Sequence, residues 1–146
     1  MAGGTAGTPI FEREGRYLSF TVNETNGITL GNICSLDSTE TQVVQGTDAS
    51  TVPIGVAVAG PRTSRTATDN VIANGMKVTV CTHGVCNVIA TAAAISVGGF
   101  VQCGGSGQVK ALTLSTGTDV NKLIGRALEA AAGTATEAIR VLVTIL

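Results

Sequence analysis

In two stretches of this chain every second residue is Val or Ile: Lys77-Val-Thr-Val-Cys81 and Arg140-Val-Leu-Val-Thr-Ile145. A period of two lines one face of an extended strand and cannot line one face of a helix. The rest of the chain supports the same reading. Val, Ile and Thr, stiff at the β-carbon and suited to pleated strands, recur throughout. Nineteen glycines supply turns, and proline occurs only at 9, 53 and 61. The pattern predicts strands near 17–22, 32–36, 41–45, 54–59, 76–82, 85–90, 99–103 and 139–145. Further pairing is expected near 108–114 and 123–129. Ala127-Leu-Glu-Ala-Ala-Ala132 favours a helix by propensity, but Gly125 and Gly133 bracket it closely. A strand and loop, or one short turn, is expected there.

The chain repeats itself. Gly27-Ile-Thr-Leu-Gly-Asn-Ile-Cys34 is echoed by Ala94-Ile-Ser-Val-Gly-Gly-Phe-Val101, and Pro53-Ile-Gly-Val-Ala57 by Leu123-Ile-Gly-Arg-Ala127. Each half closes on a strand-like run, Met76–Val80 and Ile139–Ile145. Two copies are too few for a solenoid. Two β-units folded against each other into a closed barrel would bury both apolar faces and remove exposed edges. The expected fold is therefore all-β: a compact barrel body of two duplicated β-units. Residues 1–10 are Gly, Thr, Ala and Pro without periodicity, as in a flexible arm. The arm is set at residues 1–16 and a single barrel domain at 17–146.

At 146 residues, one domain has enough chain for a core. Nine Lys plus Arg stand against ten Asp plus Glu, with no run of either sign. Nucleic acid and anionic membranes both need clustered cations, so neither is an expected partner. No stretch approaches the roughly 18 apolar residues of a membrane span. The start lacks the basic and apolar regions of a signal peptide, so synthesis in a cytoplasm is expected.

The sharpest local signal is Val80-Cys-Thr-His-Gly-Val-Cys-Asn87. His83-Gly84 suits a two-residue hairpin loop. Cys81 would then lie directly across from Cys86, their α-carbons within about 7 Å. Three readings of the pair stay open: small core residues, a cross-strand disulfide, or a weak metal site. The last lacks a second ligand pair, and C-x4-C is not a zinc spacing. Cys34 and Cys103 are expected as buried free thiols. His83 is the only histidine, and a catalytic triad would have to use it. No G-x-S-x-G, HExxH or P-loop occurs, so no catalytic, metal or cofactor-binding residues are expected. The Gly-rich stretch 98–107 lacks a following helix and reads as a strand with a turn. Asp37, Asp48, Asp69 and Asp119 lie in polar stretches where aspartate caps turns.

One order of motifs carries a family resemblance. Pro53-Ile-Gly-Val-Ala57 is followed by Gly75-Met-Lys-Val-Thr-Val80, His83-Gly-Val85 and Ala92-Ala-Ala-Ile-Ser-Val-Gly98. Ile124-Gly-Arg-Ala-Leu-Glu-Ala-Ala131 and Ile139-Arg-Val-Leu-Val143 complete the series. This order resembles the capsid cement, or head decoration, proteins of tailed bacteriophages over residues 50–146, more loosely from 17. Departures are Gly99, where that family often has an acidic residue, the Cys81/Cys86 pair and the Arg62–Asn74 insertion. The resemblance implies a β-barrel or β-tulip-like body, and no enzymatic activity or cofactor. It implies a homotrimer on the capsid exterior, bound to the major capsid protein at three-fold or quasi-three-fold positions. The contact residues expected are Thr8, Pro9, Ile10, Phe11 and Tyr17, because aromatic residues are enriched at interfaces and this chain has few. Phe20 is the aromatic expected in the core. Rival readings are a tail-tube or fibre-base protein, a biotinyl- or lipoyl-like carrier module, and a small β-barrel enzyme.

Overall fold

A computed structural model describes residues 15–49, 52–61, 70–117, 119–134 and 137–145. Of the arm expected at 1–16, only Gly15 and Arg16 fall among these. Thr8, Pro9, Ile10, Phe11 and Asp69 lie outside them. The described residues form eleven strands. They are β1 (Arg16–Val22), β2 (Ile28–Thr29), β3 (Ile33–Leu36), β4 (Gln42–Gln45), β5 (Pro53–Ala59) and β6 (Val71–Ile72). After these come β7 (Lys77–Ile89), β8 (Phe100–Cys103), β9 (Val109–Ala111), β10 (Leu123–Ala127) and β11 (Ala138–Thr144). Among the described residues, helix is limited to two short 3-10 turns, Gly105–Gly107 and Asp119–Lys122. Ala127–Ala132 is strand end and loop, as its flanking glycines implied.

Nine strands hydrogen-bond in the order β1-β4-β3-β5-β7-β11-β10-β8-β9. β1 also pairs with β7, which closes the first five strands into a barrel. β2 and β6 form a separate ribbon whose Ile28 and Ile72 are buried in the barrel core. Leaving β1 aside, the order is a palindrome, β4-β3-β5-β7 followed by β11-β10-β8-β9. The sequence echoes map onto it. Cys34 lies opposite Gly55, and Val101 opposite Gly125. Val56 then pairs with Cys81, and Arg126 with Leu142. The second set curls back on itself. Val109 of β9 bridges Ala90, the residue just after β7, and its carbonyl accepts the Thr91 N–H at 2.9 Å.

The repeated Ile-Gly step has a packing cause. A β-carbon on Gly55 would overlap the Cys81 carbonyl oxygen, and one on Gly125 would overlap the Leu142 carbonyl oxygen. Each glycine lets the next strand approach closely. The two apolar cores lie on either side of the shared strands. Phe20, Val22, Val43, Ala57, Val78 and Val80 fill the barrel, while Val56, Val58, Cys81, Cys86, Val88 and Val141 belong to the second core. β5 is apolar at successive residues because both its faces are covered. Phe20 is a core residue, as expected.

One sequence-based expectation fails here. His83-Gly84 is no hairpin loop; β7 runs unbroken through it for 13 residues. A hairpin would require residues 85–90 to return along 77–82. Better partners take both halves. β1 and β5 pair along the first half, and β11 pairs along His83–Ile89. Gly84 serves another purpose. Its φ is +142°, and a β-carbon there would sit 3.2 Å from the Gly15 Cα, so its bareness lets the incoming chain cross.

Because the obstacle at Gly125 is backbone, Gly125→Ala should destabilise the protein by about 3 kcal/mol or more. Gly105→Ala, where nothing lies within 4 Å, should stay within about 0.5 kcal/mol of wild type. Urea unfolding of the two variants checks the contrast.

Candidate functional site

Alternation along β1 sends Arg16, Leu18 and Phe20 to one side. Phe20 is buried, but Leu18, nearer the strand's start, is 54% exposed. These residues, with Leu36, Glu40, Ile54, Thr82, His83 and Ile145, line a groove of about 650 Å³. A second groove of about 410 Å³ adjoins it and shares Leu36, Ile54 and Ile145, adding Val52, Pro53, Val120, Asn121 and Leu123. The two make a continuous apolar trough with charge only at one end, on Arg16 and Glu40.

The far wall is held by one carboxylate. Oδ2 of Asp119 accepts hydrogen bonds from the Ser115 and Thr116 backbone N–H groups, each at 2.7 Å, and from the Ser115 hydroxyl at 2.9 Å. Its Oδ1 pairs with Lys122 Nζ at 3.1 Å. The Thr116 N–H, then the Ser115 donors and Lys122, hold the Asp119 carboxyl well below the usual carboxylate range. This clamp fixes the 3-10 turn from which Val120 and Asn121 reach the trough. The sequence assignment of Asp119 to turn capping matches this geometry.

Of the residues that sequence reasoning grouped as partner-binding, Tyr17 alone lies among the described residues. Tyr17 is half-buried and packs against the second core. The trough residues Leu18, Val52 and Val120 are not among those the sequence points to, because they lie far apart along the chain. The available signal was Leu18 at a spacing of two from Phe20. A second exposed apolar spot lies on the outer face of the other unit. Phe100 is half-exposed, and the Arg126 guanidinium stands 4.4 Å from its ring centroid.

Cys81 and Cys86 lie on one strand, not across a hairpin, yet their thiols share a hydrogen bond. Five residues apart on a regular strand, they would face opposite sides. The β1–β7 register shifts between Arg16 and Tyr17, opposite Cys81–His83, and this bulge turns both thiols into the second core. Both are free. The bond to Cys81, reinforced by burial, pushes the Cys86 thiol well above its ordinary value. Burial pushes Cys34 and Cys103 up to about 12. These two are buried free thiols, as expected. His83 is exposed on the trough rim rather than at a hairpin tip. Among the described residues, no cluster of His, Cys, Asp and Glu could hold a metal ion.

The fold and this surface define an all-β barrel body with an apolar trough at one end. The crystal structure of the head fibre gp8.5 N base of bacteriophage phi29 shares the fold, with a TM-score of 0.50 at 14% identity, over 88% of this chain and 95% of that one. A comparison with curated proteins gives no match. The family described as structural cement protein (E217 gp24/Pam3 gp6) matches residues 1–144, and the chain belongs to this phage structural family.

The Asp119 clamp makes stability depend on pH in a defined direction. A carboxyl whose pKa is lowered by folding adds stability above its unfolded value, near 4, and loses it as pH falls toward the folded value. The melting temperature of wild type should exceed that of Asp119→Asn most clearly above about pH 5. The gap should narrow progressively below about pH 4. Calorimetry of both proteins from pH 7 to pH 2.5 checks it.

Proposed function

We propose that this protein is a homotrimeric cement on the outside of an icosahedral phage head, where it clamps neighbouring major capsid subunits. The match to the structural cement family over residues 1–144 carries the reading. The physical chemistry is consistent with it. The two cores share one continuous strand, an arrangement that suits a clamp between subunits. A ligand that binds only the assembled shell raises that shell's stability by mass action, and many copies on one shell gain further by multivalency. Thr8, Pro9, Ile10, Phe11 and the half-buried Tyr17 are the proposed capsid contacts. The protein acts by binding rather than by catalysis. It is made in the host cytoplasm and joins the particle from there.

A second reading has one specific observation in its favour. The fold shared with the phi29 head fibre base fits a protein that seats an appendage on the head. Both readings place the chain in the virion as a structural part.

Heating expanded shells with and without the protein tests the clamp. Decorated shells should rupture at a temperature several degrees higher than bare ones, and shells carrying protein that lacks residues 1–14 should fall between the two. Equal rupture temperatures for bare and decorated shells would leave the appendage reading in its place.

A further inference from the structure

Cys81 and Cys86 both belong to the second core, and their thiols share a hydrogen bond. That contact runs against their spacing. Residues five apart on a regular strand stand about 16 Å from each other. The register shift opposite Cys81–His83 brings the two together. It falls where β7 passes from one unit to the other, at His83, which pairs with both Arg16 and Thr144. The remaining thiols are placed differently. Cys34 lies in the barrel core, and the Cys103 S–H donates to the Gly104 carbonyl oxygen at 3.3 Å.

The two members of the pair are not equivalent. The Cys86 S–H, and after it the His83 backbone N–H, donate to the Cys81 sulfur and hold its pKa below the ordinary thiol value, against the opposing effect of burial. Cys86 is pushed the other way and keeps its proton. A thiolate beside a thiol is the arrangement that attacks a disulfide and then resolves the mixed disulfide that forms. On the Gly84 side the cover over Cys81 is thin. Its Sγ lies 3.4 Å from the point where a Gly84 β-carbon would stand, and the Gly15 Cα crosses 3.2 Å from that same point. Neither glycine puts a side chain in the way. Arg16, next to Gly15, stands at the end of β1 and beside the register shift. Strand ends of this kind open locally at a small fraction of the free energy of global unfolding.

We propose that Cys81 and Cys86 are a redox-active dithiol, which a low-molecular-weight disulfide converts to a bridge within β7 that staples the changeover between the two units. The Cys81 thiolate attacks one sulfur of the oxidant RSSR, forming a Cys81–SR mixed disulfide and releasing RS⁻. Cys86 gives its proton to that RS⁻, and its sulfur attacks the Cys81 sulfur and expels the second RS⁻, which takes the proton that Cys81 lost. The two cysteines together lose two electrons and two protons, and RSSR becomes two RSH. The bridge encloses the six residues Cys81–Cys86, His83 among them. Under the cement reading the protein passes from a reducing cytoplasm to a released particle, where such a bridge persists. The chemistry itself belongs to the isolated protein and stands or falls apart from that reading.

The test uses the full-length protein, reduced and native, incubated with excess oxidised glutathione. Samples are quenched in acid, unfolded, labelled with N-ethylmaleimide and mapped by mass spectrometry. Cys34 and Cys103 should take the label. Cys81 and Cys86 should escape it, in a peptide lighter by two hydrogens. The bridged protein should melt about 5 °C above the reduced one, and dithiothreitol should reverse both changes. Cys86→Ala should stop with one glutathione on Cys81, and Cys81→Ala should leave Cys86 open to the label, each with the β-sheet amide spectrum retained. Wild-type labelling decides the matter if either variant fails to fold. Full labelling of Cys81 and Cys86 in wild type overturns the proposal, as does a bridge to Cys34, to Cys103 or to a second chain. A bridged protein that melts no higher than the reduced one overturns the staple, and glutathione on Cys86 in Cys81→Ala overturns Cys81 as the attacking thiol.

Discussion

Thirteen consecutive residues of β7 are hydrogen-bonded into two different neighbourhoods, and the rest of the molecule is arranged around that fact. Along Lys77–His83 the strand is a stave of the closed barrel, flanked by β1 and β5. From His83 to Ile89 it pairs with β11 and so begins the second set of strands. His83 is the changeover point, paired with Arg16 at one end of β1 and with Thr144 at the end of β11. Unsatisfied backbone groups on a strand inside a core would be costly. Continuous pairing therefore forces the two units to stay in register with each other. The same strand separates the two cores, sending Val78 and Val80 one way and Cys81, Cys86 and Val88 the other.

How much of this was legible from the residues depends on range. Val78/Val80 and Val141/Val143/Ile145 announced their strands through local period-two spacing, and β7 and β11 lie there. The Pro53–Ala57 and Leu123–Ala127 echo pointed to two similar units, and Gly55 and Gly125 hold equivalent places opposite Cys34 and Val101. The error came at His83-Gly84, whose turn chemistry is real but was outcompeted by non-local partners. Nothing in the neighbouring residues says that β1 and β11 will meet there. A glycine that admits a crossing chain and a glycine that makes a turn look alike in a sequence. The thiol pair shows the same limit: Cys81 and Cys86 do meet, but through a bulge set by pairing with β1. The trough was invisible for a related reason. Leu18, the Val52–Ile54 pair and Val120 come from three distant segments, and only the complete fold brings them together.

These features suit a structural part of a phage particle. Closure of the first unit by β1, together with the return of β9 to Ala90, pairs what would otherwise be edges of the nine-stranded sheet among the described residues. The four thiols are buried and take no part in the surface. Among the described residues the surface carries the apolar trough and the Phe100–Arg126 spot.

The arrangement of both units around one strand requires that β7 join them into one cooperative structure. Native-state hydrogen exchange measures this directly. Slow amides of β3 and β5 and those of β10 and β11 should exchange with one common opening free energy, equal to that of global unfolding. If β10 and β11 open at a markedly lower free energy while β3 and β5 stay protected, the units are not joined and the account is contradicted.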